Sequence, residues 1–134
     1  MLPSGLPEIV GDDEQVASFL TSSSHFNATL VKAGAFVPNS KNGEKSVCRH
    51  GAELRVELQR LASVYLKQIQ AHGAGVVGAD VVKGIGLSVE SHEPPERHAN
   101  LQGWVWSAAD PKMGKAENLE RAKRLAEKAT LVRW

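Results

Sequence analysis

The segment from Glu93 to Trp104 constrains this chain more than any other. It places Pro94 and Pro95 just ahead of Arg97, His98 and Asn100, and it closes on Gly103-Trp104. Each proline fixes its own φ and pushes the residue before it out of helical geometry, so the chain crosses here as a shaped loop. No helix runs through such a segment. A rigid corner that carries an Arg-His pair into an apolar stretch is either a site or a well-tied turn.

The flanking elements are read by period. Leu54, Leu58, Leu61, Tyr65 and Ile69 recur at helical spacing, which predicts a long central helix over residues 51–72, stopped by Gly73 and Gly75. Asp12 or Asp13 caps a short helix that buries Val16, Phe19 and Leu20 and ends in the hydroxyl run 21–24. Asn42-Gly43 separates residues 33–39 from 44–50 and signals a hairpin, because both turn residues tolerate positive φ. That hairpin sets Val37 opposite Cys48 and Phe36 opposite Arg49, with Pro38 at an edge. A longer loop over residues 40–44 is the alternative. Residues 79–83 make one or two helical turns and 87–90 a strand. Residues 101–107 make another strand, with Trp104 and Trp106 on one face and Val105 on the other. Asp110-Pro111 starts a terminal helix with the stripe Leu119, Ala122, Leu125, Ala126 and Ala129. The expected architecture is an arm at residues 1–11 and one α+β domain at 12–134. Its sheet is small and mainly antiparallel (the hairpin plus two further strands), and the central and terminal helices cover one face.

Composition enters by exclusion. Sixteen basic against fifteen acidic side chains leave a net charge of +1, which argues neither for nor against nucleic acid. Aromatics at 5% remove the stacking platforms that single-strand binders favour. Cys48 is the one cysteine, so no internal disulfide forms and no oxidising compartment is needed. The first residues lack a basic, apolar leader, and no window is apolar over a membrane's thickness. The expectation is a cytoplasmic protein without a membrane segment.

Several constellations carry candidate chemistry. Arg49-His50 and Arg97-His98 supply the groups that metal-free phosphodiester cleavage needs: imidazoles as acid and base, guanidiniums on the developing phosphorane charge. The bland reading is that neighbours on a strand point apart. His92, His98, Cys48 and His50 are zinc-ligand types, but their spacing matches no zinc motif, and no metal is expected. Residues 73–78 spell Gly-x-Gly-x-x-Gly, yet they follow a predicted helix instead of a strand, so no cofactor is expected. Ser22-Ser23-Ser24-His25 reads as a turn, since adjacency in sequence does not make a triad. The last 24 residues include Lys112, Lys115, Arg121, Lys123, Arg124, Lys128 and Arg133, a basic face laced with helical ion-pair spacings. Trp134 is either docked into the body or open to a partner.

Two of these segments, Ser46-Val47-Cys48-Arg49 and the run from Pro94 to Trp104, resemble a group of small uncharacterised bacterial proteins. Those proteins share Ser-Val-x-Arg and Pro-Pro-x-x-His-Ala-Asn-x-x-Gly-Trp. The likeness runs from about Phe19 to Ala129 and departs at Val105, where such proteins usually carry proline. The resemblance implies no activity; it directs attention to Arg49 and His98.

Two functions compete at this point. The leading one is a non-enzymatic module that binds a protein partner or an anionic ligand through the Pro-Pro loop and the basic terminal helix, with Arg49, Arg97, His98, Asn100 and Trp104 in contact. The other is a metal-independent phosphodiester or nucleotide-processing enzyme, with His50 and His98 as acid and base. The enzyme needs both imidazoles in one cleft; the module does not.

Overall fold

The computed structural model describes residues 2–50, 55–67 and 69–134. Within them six strands form one sheet: β1 (Gln15–Leu20), β2 (Lys45–His50), β3 (Gly73–Gly78), β4 (Ser88–Ser91), β5 (His98–Gln102) and β6 (Thr130–Arg133). Their spatial order is β4-β5-β2-β1-β3-β6, and every neighbouring pair is antiparallel. The α+β class and the small antiparallel sheet are as the sequence predicts. The placement of the helices is not.

Residues directly opposite on antiparallel strands share a face. Ala17, Cys48 and Val76 stand opposite one another and pack beneath Leu58 and Leu61 of α1 (Arg55–Tyr65). Val16, Arg49 and Val77 share the other face, where Ala79 and Val82 of α2 (Ala79–Gly84) and Ala122 and Leu125 of α3 (Lys115–Lys128) complete the larger core. The central strands are apolar on both sides, so helices cover both faces instead of one. Each fully buried leucine or valine contributes about 1.5–3 kcal/mol relative to exposure, which makes these two clusters the main stabilising term.

That double burial explains several corrections. Val16, Ala17, Ser18 and Leu20 are all buried in a strand, not on a short helix. A strand covered on both faces loses the alternation by which strands are read. The Asn42-Gly43 turn forms, with Gly43 at φ 70° against the Trp106 ring. It does not join two paired strands, because Ala33–Ala35 is a 3-10 turn. Cys48 and Arg49 lie opposite Ala17 and Val16 of β1, and Cys48 lies opposite His98 of β5, in place of Val37 and Phe36. Pro38 offers no ladder donor, whereas β1 and β5 do.

The central helix is Arg55–Tyr65. Residues 51–54 and 68 of the predicted span lie outside the described residues, and Ile69 is exposed. Gly73–Gly78 is a strand instead of a helix stop. A Cβ on Gly73 would sit 2.2 Å from the Val132 carbonyl oxygen, so glycine there is what lets β6 lie alongside. β6 itself is unannounced in the sequence. It brings in Trp134, whose indole donates to the Ala71 carbonyl at 3.1 Å and meets the Phe19 ring at 6.4 Å.

β5 begins at His98 and ends before Gly103, which has φ 100°, so the strand predicted over 101–107 is shifted towards the N-terminus. Trp104 and Trp106 are therefore not neighbours on one strand face. Trp104 is buried with its indole on the Leu101 carbonyl; half-buried Trp106 donates to the Ser40 carbonyl. Asp110-Pro111 opens a turn, and α3 starts only after Gly114 in the left-handed region. α3 buries Asn118, Ala122, Leu125 and Ala126 and leaves Leu119 exposed. The segment expected as an arm lies on the body. Ile9 bridges Glu90 at the β4 edge, Val10 is buried, and Ser4 bonds to Glu93.

Candidate functional site

The sheet opens between its two central strands. The β1–β2 register runs from Gln15–His50 to Ala17–Cys48 and stops, while β1 stays paired with β3 out to Leu20 and β2 with β5 out to Lys45. The chain between them fills part of the gap, held by Ser18 Oγ donating to the Ala35 carbonyl. What remains is a cleft of about 380 Å³ lined by Phe19, Thr21, His25, Lys45, Ser46, Tyr65, Leu66, Pro95 and His98. A volume of this order lies within the range of small-ligand sites. A second groove of about 330 Å³ shares His25, Lys45 and Ser46 and extends to Glu44 and Asn100.

Strand register sets the polar centre of the cleft. Cys48 lies opposite His98, and Ser46 lies opposite Asn100, so all four share the α1 face. Ser46 Oγ is 2.7 Å from His98 Nε2, and His98 Nδ1 is 2.7 Å from the His92 carbonyl oxygen. A carbonyl only accepts, so Nδ1 carries the proton and the neutral ring presents a lone pair at Nε2. The Ser46 hydroxyl is therefore the donor. The His92 N–H returns a bond to the His98 carbonyl at 2.9 Å, which closes the Pro-Pro loop on itself. Tyr65 and His92 rings flank the imidazole at 5.7 and 5.2 Å.

The loop that shapes this corner is tied at three points. Glu93 accepts from Ser4, Glu96 accepts from Arg60, and the Glu96 carbonyl accepts from the Tyr65 hydroxyl. Arg97 holds a left-handed φ of 63°, which turns the chain into β5.

Electrostatics distinguish Lys45. Burial pushes its ammonium down to about 8, and among the described residues no carboxylate forms an ion pair with it. Burial also holds His98 below the usual histidine value, against the raising effect of its bond to the His92 carbonyl, and both His92 and Glu44 act on it through space. His25 is lowered by burial and by the charge of Lys45, and its Nδ1 is buried without a partner among the described residues. Burial raises the Tyr65 phenol, with Cys48 beside it.

The predicted site residues separate into two groups. His98 and Asn100 reach the cleft region, Asn100 through the adjoining groove. Arg49 is fully buried on the other face, donating to both Glu14 carboxylate oxygens at 2.8 and 2.6 Å and to the Pro7 carbonyl at 2.6 Å. Arg97 Nη1 reaches the Arg49 carbonyl at 3.5 Å, and Trp104 is core. The two Arg-His segments do meet, with the Arg49 N–H donating to the Arg97 carbonyl at 2.7 Å, but the Arg49 guanidinium is committed elsewhere. The His50 side chain lies outside the described residues. α3, with its basic residues, packs on the face opposite the cleft, so the Pro-Pro loop and the terminal helix do not form one surface.

Nothing in the sequence alone marks Lys45, Ser46 and Tyr65 as site residues. The available signal was Ser46 heading Ser-Val-x-Arg, but its link to His98 depends on the β2–β5 register. Among the described residues no group of three or more His, Cys, Asp or Glu is placed to hold a metal ion. No described helix is long and apolar enough to cross a membrane. No protein-family model, curated protein or solved structure matches the chain.

Proposed function

We propose that this protein is a small cytoplasmic binding module that takes an organic anion into the cleft between β1 and β2. The observation that carries this reading is Lys45, a half-buried ammonium with no carboxylate partner among the described residues. A desolvated cation is costly unless an anion compensates it. At neutral pH, below its value of about 8, Lys45 is mainly charged. Phe19, Tyr65, Leu66 and Pro95 make the surrounding wall apolar, while Ser46 and His25 add polar groups. A small carboxylate or phosphate ester with a flat apolar body fits that chemistry. The single cysteine, buried with its thiol on the Arg49 carbonyl, suits a reducing compartment.

Calorimetric titration with phenyl phosphate and benzoate, against neutral benzamide, tests the reading. The anions should bind more tightly than benzamide, and Lys45→Met should abolish that preference. Arg124→Ala on α3 should leave it unchanged. An anion preference unchanged in Lys45→Met would overturn the assignment.

A further inference from the structure

The geometry points to Ser46 as a nucleophile, with His98 as its general base and the His92 carbonyl orienting the ring, so that the cleft hydrolyses small carboxylic esters. The inference rests on the cleft being the ligand site and names the class of reaction performed there.

Nucleophilic catalysis by serine needs three things in series: a hydroxyl, a base bonded to it, and a group that fixes the base's tautomer. All three are present at hydrogen-bond distance, 2.7 Å at each link. Ser46 is exposed at the cleft and His98, largely buried beside it, still lines the same cleft, so the hydroxyl meets the substrate with the base within reach of the leaving group. The imidazole is held by the reciprocal bonds between residues 92 and 98 and by the flanking Tyr65 ring. Burial favours its neutral form, the form that accepts a proton.

The chemistry balances with ester and water alone. Ser46 Oγ attacks the ester carbonyl carbon as its proton passes to His98 Nε2, and the carbonyl π electrons move onto oxygen. That oxyanion collapses and expels the alcohol oxygen, which takes the proton from Nε2. The acyl group is now on Ser46. Water attacks it, His98 accepts the water's proton and returns it to Oγ, and a carboxylic acid leaves. Lys45, which lines the same cleft, is the cation available to the oxyanion. The walls of Phe19, Leu66 and Pro95 favour a short apolar acyl group.

The test is incubation of the full chain with p-nitrophenyl acetate, followed by intact mass and peptide mapping. One acetyl group should appear on Ser46, with nitrophenol release at least about a hundredfold above the His98→Gln variant. Ser46→Ala should neither label nor turn over. In Ser46→Cys, iodoacetamide should react faster than in Ser46→Cys combined with His98→Gln, which keeps a readout if turnover is slow. Acetyl on Lys45 alone, or turnover unchanged in Ser46→Ala, would overturn the inference. Phenyl phosphate binding to the same samples separates the two claims. Binding without acylation defeats the nucleophile and leaves the cleft; loss of both defeats both.

Discussion

Replacing Glu14 by glutamine should remove about 3 kcal/mol of folding stability, because it strands the Arg49 guanidinium inside the sheet. Arg49 is 0% exposed, and both carboxylate oxygens of Glu14 receive its N–H groups. Breaking a buried pair by removing one partner typically costs about 3–5 kcal/mol. The Glu14 side chain keeps 21% exposure, so water partly compensates and the lower end applies. The amide still accepts one of the two bonds, and the Pro7 carbonyl still accepts a third. Burial works to raise the Glu14 carboxyl, but bonds from Arg49 and the Gly11 N–H outweigh it and hold the group below its usual value. A carboxylate depressed in the native state adds stability above its unfolded value of 4.5, and loses it as pH falls through the folded value. Urea unfolding of wild type, Glu14→Gln, Arg49→Met and the double variant measures this. The double variant should be more stable than the sum of the singles allows, since no uncompensated charge remains. A Glu14→Gln cost below about 0.5 kcal/mol, the range of ordinary surface changes, would refute the reasoning.

Three further outcomes follow from groups around the sheet. Between pH 8 and 10.5 the unfolded chain holds a proton that native Lys45 has released, so stability should rise across that window. In Lys45→Met, denaturant midpoints should not show that rise. His25 and His98 are both depressed below 6.5, so the native state resists protonation and stability should fall as pH drops from 6.5. Histidine NMR titrations that put both midpoints at or above 6.5 would contradict this. Gly73→Ala brings a methyl within 2.2 Å of the Val132 carbonyl oxygen, and β6 must move. A loss of about 1–3 kcal/mol is expected, with amide exchange accelerated in β6 before the rest of the sheet.

How much of this was legible in the chain depends on how local each signal was. The stripe through Leu58, Leu61 and Tyr65, the turn at Asn42-Gly43, the short helix after Gly78 and the helix end at Lys128 are set by neighbours in sequence, and they were readable. β1 does not read as a strand because Val16, Ala17 and Ser18 are all buried, which erases a period of two. Residues 73–78 look like a helix stop until Val132 is seen against Gly73. The site was half visible. His98 and the proline corner stand out by composition, and both segments of the resemblance lie in the site's neighbourhood. The Ser46–His98 bond, and a Lys45 without a carboxylate partner among the described residues, exist because β2 pairs with β1 only from Cys48 onward while Lys45 to Cys48 pair with β5. Arg49 illustrates the converse: its residue type suggested binding, and its burial beside Glu14 makes it structural.

The most direct measurement is the ¹⁵N-detected titration of the Lys45 ammonium, with and without saturating phenyl phosphate. The midpoint should lie near 8 in the unliganded protein and climb towards the ordinary lysine value when the anion is bound, because the anion stabilises the charged form. A midpoint that phenyl phosphate leaves unmoved, with no shifts at Ser46 or His98, would contradict it.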